Sequence, residues 1–526
     1  MEWAWSFSFL SWLSLILSGP PLILLFLFHT RRRRQVEEFH SGKLRPPGPQ
    51  GWPVVGNIFD LGELPHQTLC KFQDKFGPVI WLQLGSVGTL VINSADSAAK
   101  LFKSHDLAFS DRRCPNALTV HGYNHGSIAI GNYSPYFRVF KRIGAMEFNA
   151  VKRVNESVEV RRKCVDNMII WIEEAAMKSH SSGLKGVIEI YHFVFLMAFN
   201  MVGNMVFSED IIDSETKEWK EFFDSMNKVV EWTGKPNLSD YFPLLKMLDP
   251  LGIKKAMNKD MGRCLKIVAN FVKERMEVRE ERFKRKDGKE KKDFLDVLLE
   301  FEGDKRDSLG RISEENLNII LTEIFFAGTE TTNTSIEWLM SDLLNNPNCM
   351  RKVEEELERI VGRERKVEES DINKLLYLQA SAKESLRLHP PIPLLLPRNS
   401  TEDTIYNGYF IPKDTQVLIN AYAIGRDPEV WDDPLDFKPE RFLNNNIEPT
   451  GQHFGFIPFG AGRRMCMGYV LGQRILHLTA ATLIHTFHWE ADDSTTPKMI
   501  DMTEKMGITL RKLIPLRMIP KRRDLP

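Results

Sequence analysis

The chain has 526 residues, 70 of them basic and 70 acidic, so its formal net charge is zero and it offers no global positive field to nucleic acid. There is no internal repeat and no long linker beyond the first fifty positions, which makes one large domain the simplest organisation. Six cysteines lie far apart without Cys-x-x-Cys spacing, which argues against a zinc finger and for a reducing compartment rather than a disulfide framework.

From Trp3 to Phe28 the chain is almost wholly apolar, long enough to cross a bilayer at about 20 residues per span. The run Arg31-Arg32-Arg33-Arg34 behind it predicts that the following domain stays in the cytosol. Ser18-Gly19-Pro20-Pro21 interrupts the apolar run and leaves a processed signal peptide as the alternative. Arg45-Pro46-Pro47-Gly48-Pro49 through Pro53 is too rich in proline for helix or central strand and predicts a stiff, extended neck.

Val79–Leu84 and Thr89–Ile92 flank Gly85-Ser86-Val87-Gly88 and predict a hairpin. Beyond it the periodic stretches are mostly helical. The dense charge from Lys273 to Lys292 reads as a solvated helix end and loop, giving way to apolar residues at Phe294. A strongly apolar helix from Leu321 then presents Gly328, Thr329, Glu330, Thr331 and Thr332 in succession. Glu384 and Arg387 stand one helical turn apart; such a pair is common and worth only about 0.2–0.5 kcal/mol on a surface, but the apolar setting and His389-Pro390-Pro391 distinguish this one. A second β region covers Thr404 to Asn420, turning at Asn407-Gly408. The predicted fold class is mainly α with minor β sheets.

Phe459-Gly460-Ala461-Gly462-Arg463-Arg464-Met465-Cys466-Met467-Gly468 sets one cysteine among glycines, arginines and an aromatic. The residue types suit a thiolate ligating haem iron. Gly462 and Gly468 allow tight turns and close approach to a flat macrocycle, and amide N–H groups can then point at the sulfur. Phe459 would shield the sulfur, and the Arg464 fork suits a propionate. A cysteinate ligand pushes electron density onto iron and favours O–O cleavage. A dinucleotide-binding reading fails because Met465 stands where a third glycine is needed.

This window resembles the haem-binding signature of the cytochrome P450 superfamily. The likeness extends from the apolar start to Ile508-Thr509, and Gly455 through Cys466 and Met506-Gly507-Ile508-Thr509 are similar to plant terpenoid-oxidising members, the geraniol hydroxylases and iridoid oxidases. It implies a cytochrome P450 fold behind a membrane anchor (1–30), a basic stop and proline-rich hinge (31–56) and a haem-thiolate mono-oxygenase domain (57–526). It implies Cys466 as axial ligand, with Gly328 making room for dioxygen and Glu330 and Thr331 relaying protons. By the same resemblance Glu384, Arg387 and Arg441 form a buried triad, and Arg398 meets a haem propionate. One departure stands out: Phe137 and Lys141 occupy places where the family usually has tryptophan and arginine, so Arg138 or Arg142 is the expected substitute.

The resemblance further implies haem b, dioxygen, NADPH electrons delivered by a cytochrome reductase, and the endoplasmic reticulum membrane with the catalytic domain cytosolic. Candidate docking cations are Arg138, Lys141, Arg142 and Arg474. Candidate pocket residues are Val120, His121, Phe326, Ala327, Ile392, Leu394 and Met506, mostly apolar, which suits a small iridoid or monoterpenoid. Hydroxylation is expected, with repetition at one carbon to give an acid left open. An alkaloid or phenolic substrate is the alternative, and a haem-thiolate isomerase, dehydratase or sensor is the alternative class, disfavoured by the retained Glu330-Thr331 pair.

Overall fold

The structure is a computed structural model describing residues 44–523, apart from 184, 212–216, 286–291, 307–308 and 493–499. The apolar run from Trp3 and the Arg31–Arg34 cluster lie outside the described residues. Pro65 opens α1 (Pro65–Phe76), where its missing N–H is harmless, and Gly77 closes it at φ 84°. The hairpin follows as β1 (Val79–Leu84) and β2 (Val87–Ile92), with Leu84 opposite Val87. Its turn is therefore only Gly85-Ser86. Gly85 takes φ 57°, which suits a two-residue hairpin turn, so Val87 and Gly88 belong to the strand.

Next come α2 (Ala95–Ser104), β3 (Asp111–Arg112), α3 (Pro135–Phe148), α4 (Val158–Ser181), β4 (Ile188–Glu189) and α5 (Ile190–Phe207). By length and composition α5 could span a membrane, yet most of it is buried within the fold, as a core helix is. After α6 (Lys217–Gly234), the charged stretch as far as Arg285 forms the end of α7 (Ile253–Arg285), and 286–291 lie outside the described residues. The apolar switch at Phe294 begins α8 (Phe294–Leu299), which Asp293 and Asp296 cap reciprocally.

The spine is α9 (Glu314–Asn345). Ser313 accepts from the Asn316 amide at its start, Glu314 and Glu315 complement the dipole, and Pro347 follows its end. The longer helices that follow are α10 (Pro347–Ile360), α11 (Leu376–Leu388) and α12 (Tyr469–Thr486), and α9 packs against α5, α7, α11 and α12. Enclosed this way, it satisfies four of its hydroxyls locally: Thr322, Thr331, Ser335 and Ser341 each donate to the carbonyl four residues earlier.

The second β region contains β5 (Arg398–Asn399), β6 (Thr404–Tyr406), β7 (Tyr409–Ile411) and β8 (Gln416–Ile419). β6 and β7 turn at Asn407 (φ 51°) and Gly408 (φ 80°), the left-handed pair that Asn-Gly favours. β8 runs parallel to β2, and β5 joins β8 to β3, giving a five-stranded sheet in the order β1-β2-β8-β5-β3. Near the C-terminus β9 (Phe487–Ala491), β10 (Glu504–Met506), β11 (Leu510–Lys512) and β12 (Arg517–Arg522) build two small sheets, β10-β11 and β4-β12-β9.

Candidate active site

Residues 459–468 form the turn that feeds α12. Gly460 and Gly462 adopt φ of 71° and 66°, the Cys466 amide donates to the Phe459 carbonyl at 3.0 Å, and the Gly468 amide points at the Cys466 sulfur from 3.4 Å. Gly462 has a second reason to be glycine: a Cβ there would meet the Asp106 carboxylate at 2.6 Å. That carboxylate accepts from the Arg463 amide and from Arg398, both at 2.8 Å, so Asp106 pins the cysteine loop to the sheet. No sequence signal singled it out. Cys466 retains accessible surface while burial pushes its thiol pKa up, opposed by the Gly468 amide and the Lys141 charge. A residue both accessible and deep lines an interior hollow.

Three guanidinium groups gather near this loop. Arg464 donates to the carbonyls of Ser110 (2.8 Å), Ile128 (3.2 Å) and Gly131 (2.7 Å). Arg112 donates to the carbonyls of Ala129 (2.9 Å) and Leu396, and the β3–β5 register places it opposite Arg398. Burial, followed by the charges of Arg464 and Arg398, holds Arg112 well below the ordinary guanidinium range, and burial, followed by the charge of Arg398, brings Arg464 down to about 10. Arg112 and Arg464 both rest on carbonyls rather than carboxylates. The cluster is short of negative charge.

Arg138 and Arg142 do not join it. α3 turns Arg138 outward over the Tyr133 ring at 5.8 Å, and Arg142 is exposed and pairs with Asp304. The cation missing from the helix is supplied from the sheet by Arg112, which no local pattern distinguished from Arg113 beside it. Lys141 is half-buried against the Met465 carbonyl, and burial lowers its pKa to about 8, so it is not a surface docking cation. Arg474 is partly buried, 4.0 Å from Glu369.

On α9, Ala327 is exposed and Thr331, one turn on, is partly exposed, although the surrounding helix is buried. These two line the hollow, and Phe326 beside them is partly buried. Glu330 points elsewhere: it accepts from Tyr191 (3.1 Å), Thr509 (2.6 Å) and Arg511, and is 2% exposed. Gly328 meets α5, where an added Cβ would come 2.8 Å from a Val202 methyl, so its smallness lets the two helices pack closely. Glu323, two turns before Thr331, accepts from the amides of Ile128 (3.1 Å) and Ala129 (2.8 Å) and from the Ser127 hydroxyl. Burial raises its carboxyl to about 7. It thereby holds the loop whose carbonyls receive Arg112 and Arg464.

Glu384, Arg387 and Arg441 do come together. Arg387 grips Glu384 through two bonds of 2.7 Å, and Arg441 and the Lys438 amide add bonds of 3.0 and 2.8 Å. The pocket candidates scatter. His121 is exposed in a left-handed conformation (φ 52°), with its ring on the Asn258 carbonyl. Val120 is buried beside it, Ile392 is partly buried, and Leu394 and Met506 pack in the apolar cluster of β1, β2 and β8 with Leu82 and Val91. Helix rotation and strand pairing, not position along the chain, decide these directions.

The cytochrome P450 family model matches residues 46–516. The chain is 51% identical over 520 residues to an iridoid oxidase of Catharanthus roseus, covering 98% of this chain and 99% of that one. It is 47% identical over 524 residues to cytochrome P450 76A2 of Solanum melongena, covering 99% and 100%. To a geraniol 8-hydroxylase of Catharanthus roseus it is 39% identical over 475 residues, covering 90% and 93%. A zebra fish cytochrome P450 solved with progesterone aligns with TM-score 0.72 at 23% identity over 87% of this chain and 99% of that one, a likeness of fold. The chain belongs to the cytochrome P450 family, and it is a mono-oxygenase that uses haem iron, dioxygen and electrons from a redox partner.

Proposed function

We propose that this mono-oxygenase binds haem b through Cys466 and hydroxylates a small apolar plant metabolite, an iridoid or monoterpenoid. The observation that carries the substrate class is the 51% identity to an iridoid oxidase along nearly the whole chain. The fit to haem rests on the charge deficit described above: Arg112, Arg398 and Arg464 are cations whose pKa is lowered first by burial, with that of Arg112 lowered further by both neighbours and that of Arg464 by Arg398, and two propionates would supply what they lack. When bound, the haem supplies dioxygen activation, with the cysteinate pushing electron density onto iron.

The chain's own residues then divide the work. The Gly468 amide steadies the sulfur, the Phe459 carbonyl holds the Cys466 amide, and the left-handed turn at Gly462 keeps the loop against Asp106. Ala327 and Phe326 give the substrate an apolar wall. Thr331 holds a hydroxyl over the hollow, and Glu330 lies behind it as a carboxylate tied to Arg511. The hydroxyl moves a proton at its Oγ, and Glu330, once released from Arg511 and protonated from solvent, would replenish it.

Electrons come, in this reading, from NADPH through a cytochrome reductase docking on the exposed Arg138 and Arg142 and on Arg474. Attachment to the endoplasmic reticulum is supported by an apolar end of the described fold. Leu244 and Met247 are 92% and 96% exposed. Their loop joins the hairpin tip through the Ser86 amide on the Tyr241 carbonyl, and the tip joins exposed Trp52, Val54 and Phe59 through the Gly56–Leu84 bridge. Such a patch beside the proline-rich neck suits the bilayer reached by the apolar N-terminal run.

The test is a reduced carbon monoxide difference spectrum of microsomes expressing the chain, with Cys466→Ser as control, followed by turnover with reductase and NADPH. A thiolate-type Soret band lost in the control, and oxidation of iridoid alcohols, are expected. Active haem that accepts only alkaloids or phenolics would overturn the substrate class.

A further inference from the structure

α3 lies along the cysteine loop in step with it. Phe137 stacks its ring on the Arg464 guanidinium at 3.8 Å. One turn on, the Lys141 ammonium donates to the Met465 carbonyl. At Gly144 the helix touches Met467 so closely that a Cβ would sit 2.5 Å from its sulfur. Past the helix end, the Asn149 side chain accepts from the Val470 amide at 3.2 Å. Positions 137, 141, 144 and 149 thus follow 464, 465, 467 and 470, and the helix splints the loop on both sides of Cys466.

Phe137 has no N–H to offer a ligand and gives its ring to Arg464 instead. Lys141, the shorter and unforked cation, is committed to the residue before the cysteine. Resting on the haem-thiolate reading above, we propose that Lys141 is a positioning residue for Cys466: it locks the loop through Met465 and sets a positive charge beside the sulfur, while the propionates are left to the arginines of the sheet and the loop. The Gly468 amide donates to the sulfur itself, so the thiolate is stabilised by an amide dipole and a nearby full charge together. Charge beside a ligand sulfur, in a buried setting, shifts the balance between oxidised and reduced forms of the site.

The experiment uses the purified full chain with Lys141→Met, Lys141→Gln and Lys141→Arg. Three quantities are read: the fraction showing the thiolate-type band in the reduced carbon monoxide spectrum, the midpoint potential, and the rate of haem transfer to apomyoglobin. Lys141→Met should shift the oxidation–reduction equilibrium toward the oxidised form about tenfold, roughly 59 mV for one electron, and should lose the thiolate-type band faster than wild type. Lys141→Gln keeps a donor for Met465 without the charge and should hold the band while still shifting the potential. Lys141→Arg should match wild type in both. Haem transfer should stay within about twofold throughout, since the three guanidinium groups are untouched. If Lys141→Met and Lys141→Gln leave band and potential unchanged but accelerate haem transfer, Lys141 serves a propionate and the inference is wrong. A Lys141→Met protein that does not fold leaves the decision to Lys141→Gln. A wild type without the thiolate-type band would sink both this inference and the haem reading, whereas a normal wild type with unresponsive variants sinks only this one.

Discussion

Arg112 and Arg398 stand directly opposite each other in the register of β3 and β5. Cross-strand pairs usually contribute about 0.2–1 kcal/mol, and like charges in that position work against pairing. Here a third cation, Arg464, adds to the repulsion, as the lowered guanidinium pKa values show. Carbonyls of the 128–131 loop, fixed by Glu323, and the Asp106 carboxylate offset part of it. An anionic ligand offsets the rest.

Arg112→Met is therefore expected to accelerate haem loss by about tenfold or more, since a hydrogen bond to a charged group contributes about 1.5–3 kcal/mol. Arg138→Ala should lie close to wild type, because that side chain faces outward. Haem transfer to apomyoglobin measures both; equal effects would remove Arg112 from the site.

Thr331→Ala should keep the thiolate-type band and lower product formed per NADPH by about tenfold or more, within the usual range for a lost proton donor. The released peroxide should rise to match. Thr332→Ala, one residue on and buried away from the hollow, should stay coupled. Product and peroxide assayed together distinguish the two.

Glu384→Ala leaves two guanidinium groups facing an uncompensated hole, Arg387 being 1% exposed. Breaking one side of such a buried pair costs about 3–5 kcal/mol. The expected outcome is little or no folded haem protein, read as haem per polypeptide and as the thermal transition. A variant with wild-type stability would show that the network is replaceable.

Glu337 carries a pH dependence. Burial raises its carboxyl to about 7, against the Leu516 amide and the charges of Lys512 and Arg511, with Glu330 adding to the rise. A folded pKa above the unfolded value near 4.3 means the stabilising contribution is complete at low pH and is lost as pH climbs from there through about 7. Glu337→Gln stays neutral and keeps an acceptor for Leu516. It should melt with wild type at pH 5 and above it at pH 8, by up to a few kcal/mol. Thermal unfolding at the two pH values decides the matter, and identical curves at pH 8 would refute it.

What was legible without coordinates was local. The cysteine loop, the two hairpins, the change to apolar residues at Phe294 and the Glu384-Arg387 turn each rest on neighbours a few residues apart, where glycine, proline and hydrogen-bonding side chains act directly on the backbone. Sequence alone thus determined the class of chemistry, through Cys466 and its glycines, and the order of the elements. Tertiary structure decided which cations converge, because Arg112 reaches Arg398 only through a strand pairing across 285 intervening positions. It decided that Glu330 turns to Tyr191, Thr509 and Arg511 while Ala327 and Thr331 keep accessible surface, because each residue of a helix turns its side chain through about 100°. It also placed His121 on the outside and Lys141 beside the sulfur, since burial and charge act through space and neither is written in the order of the residues.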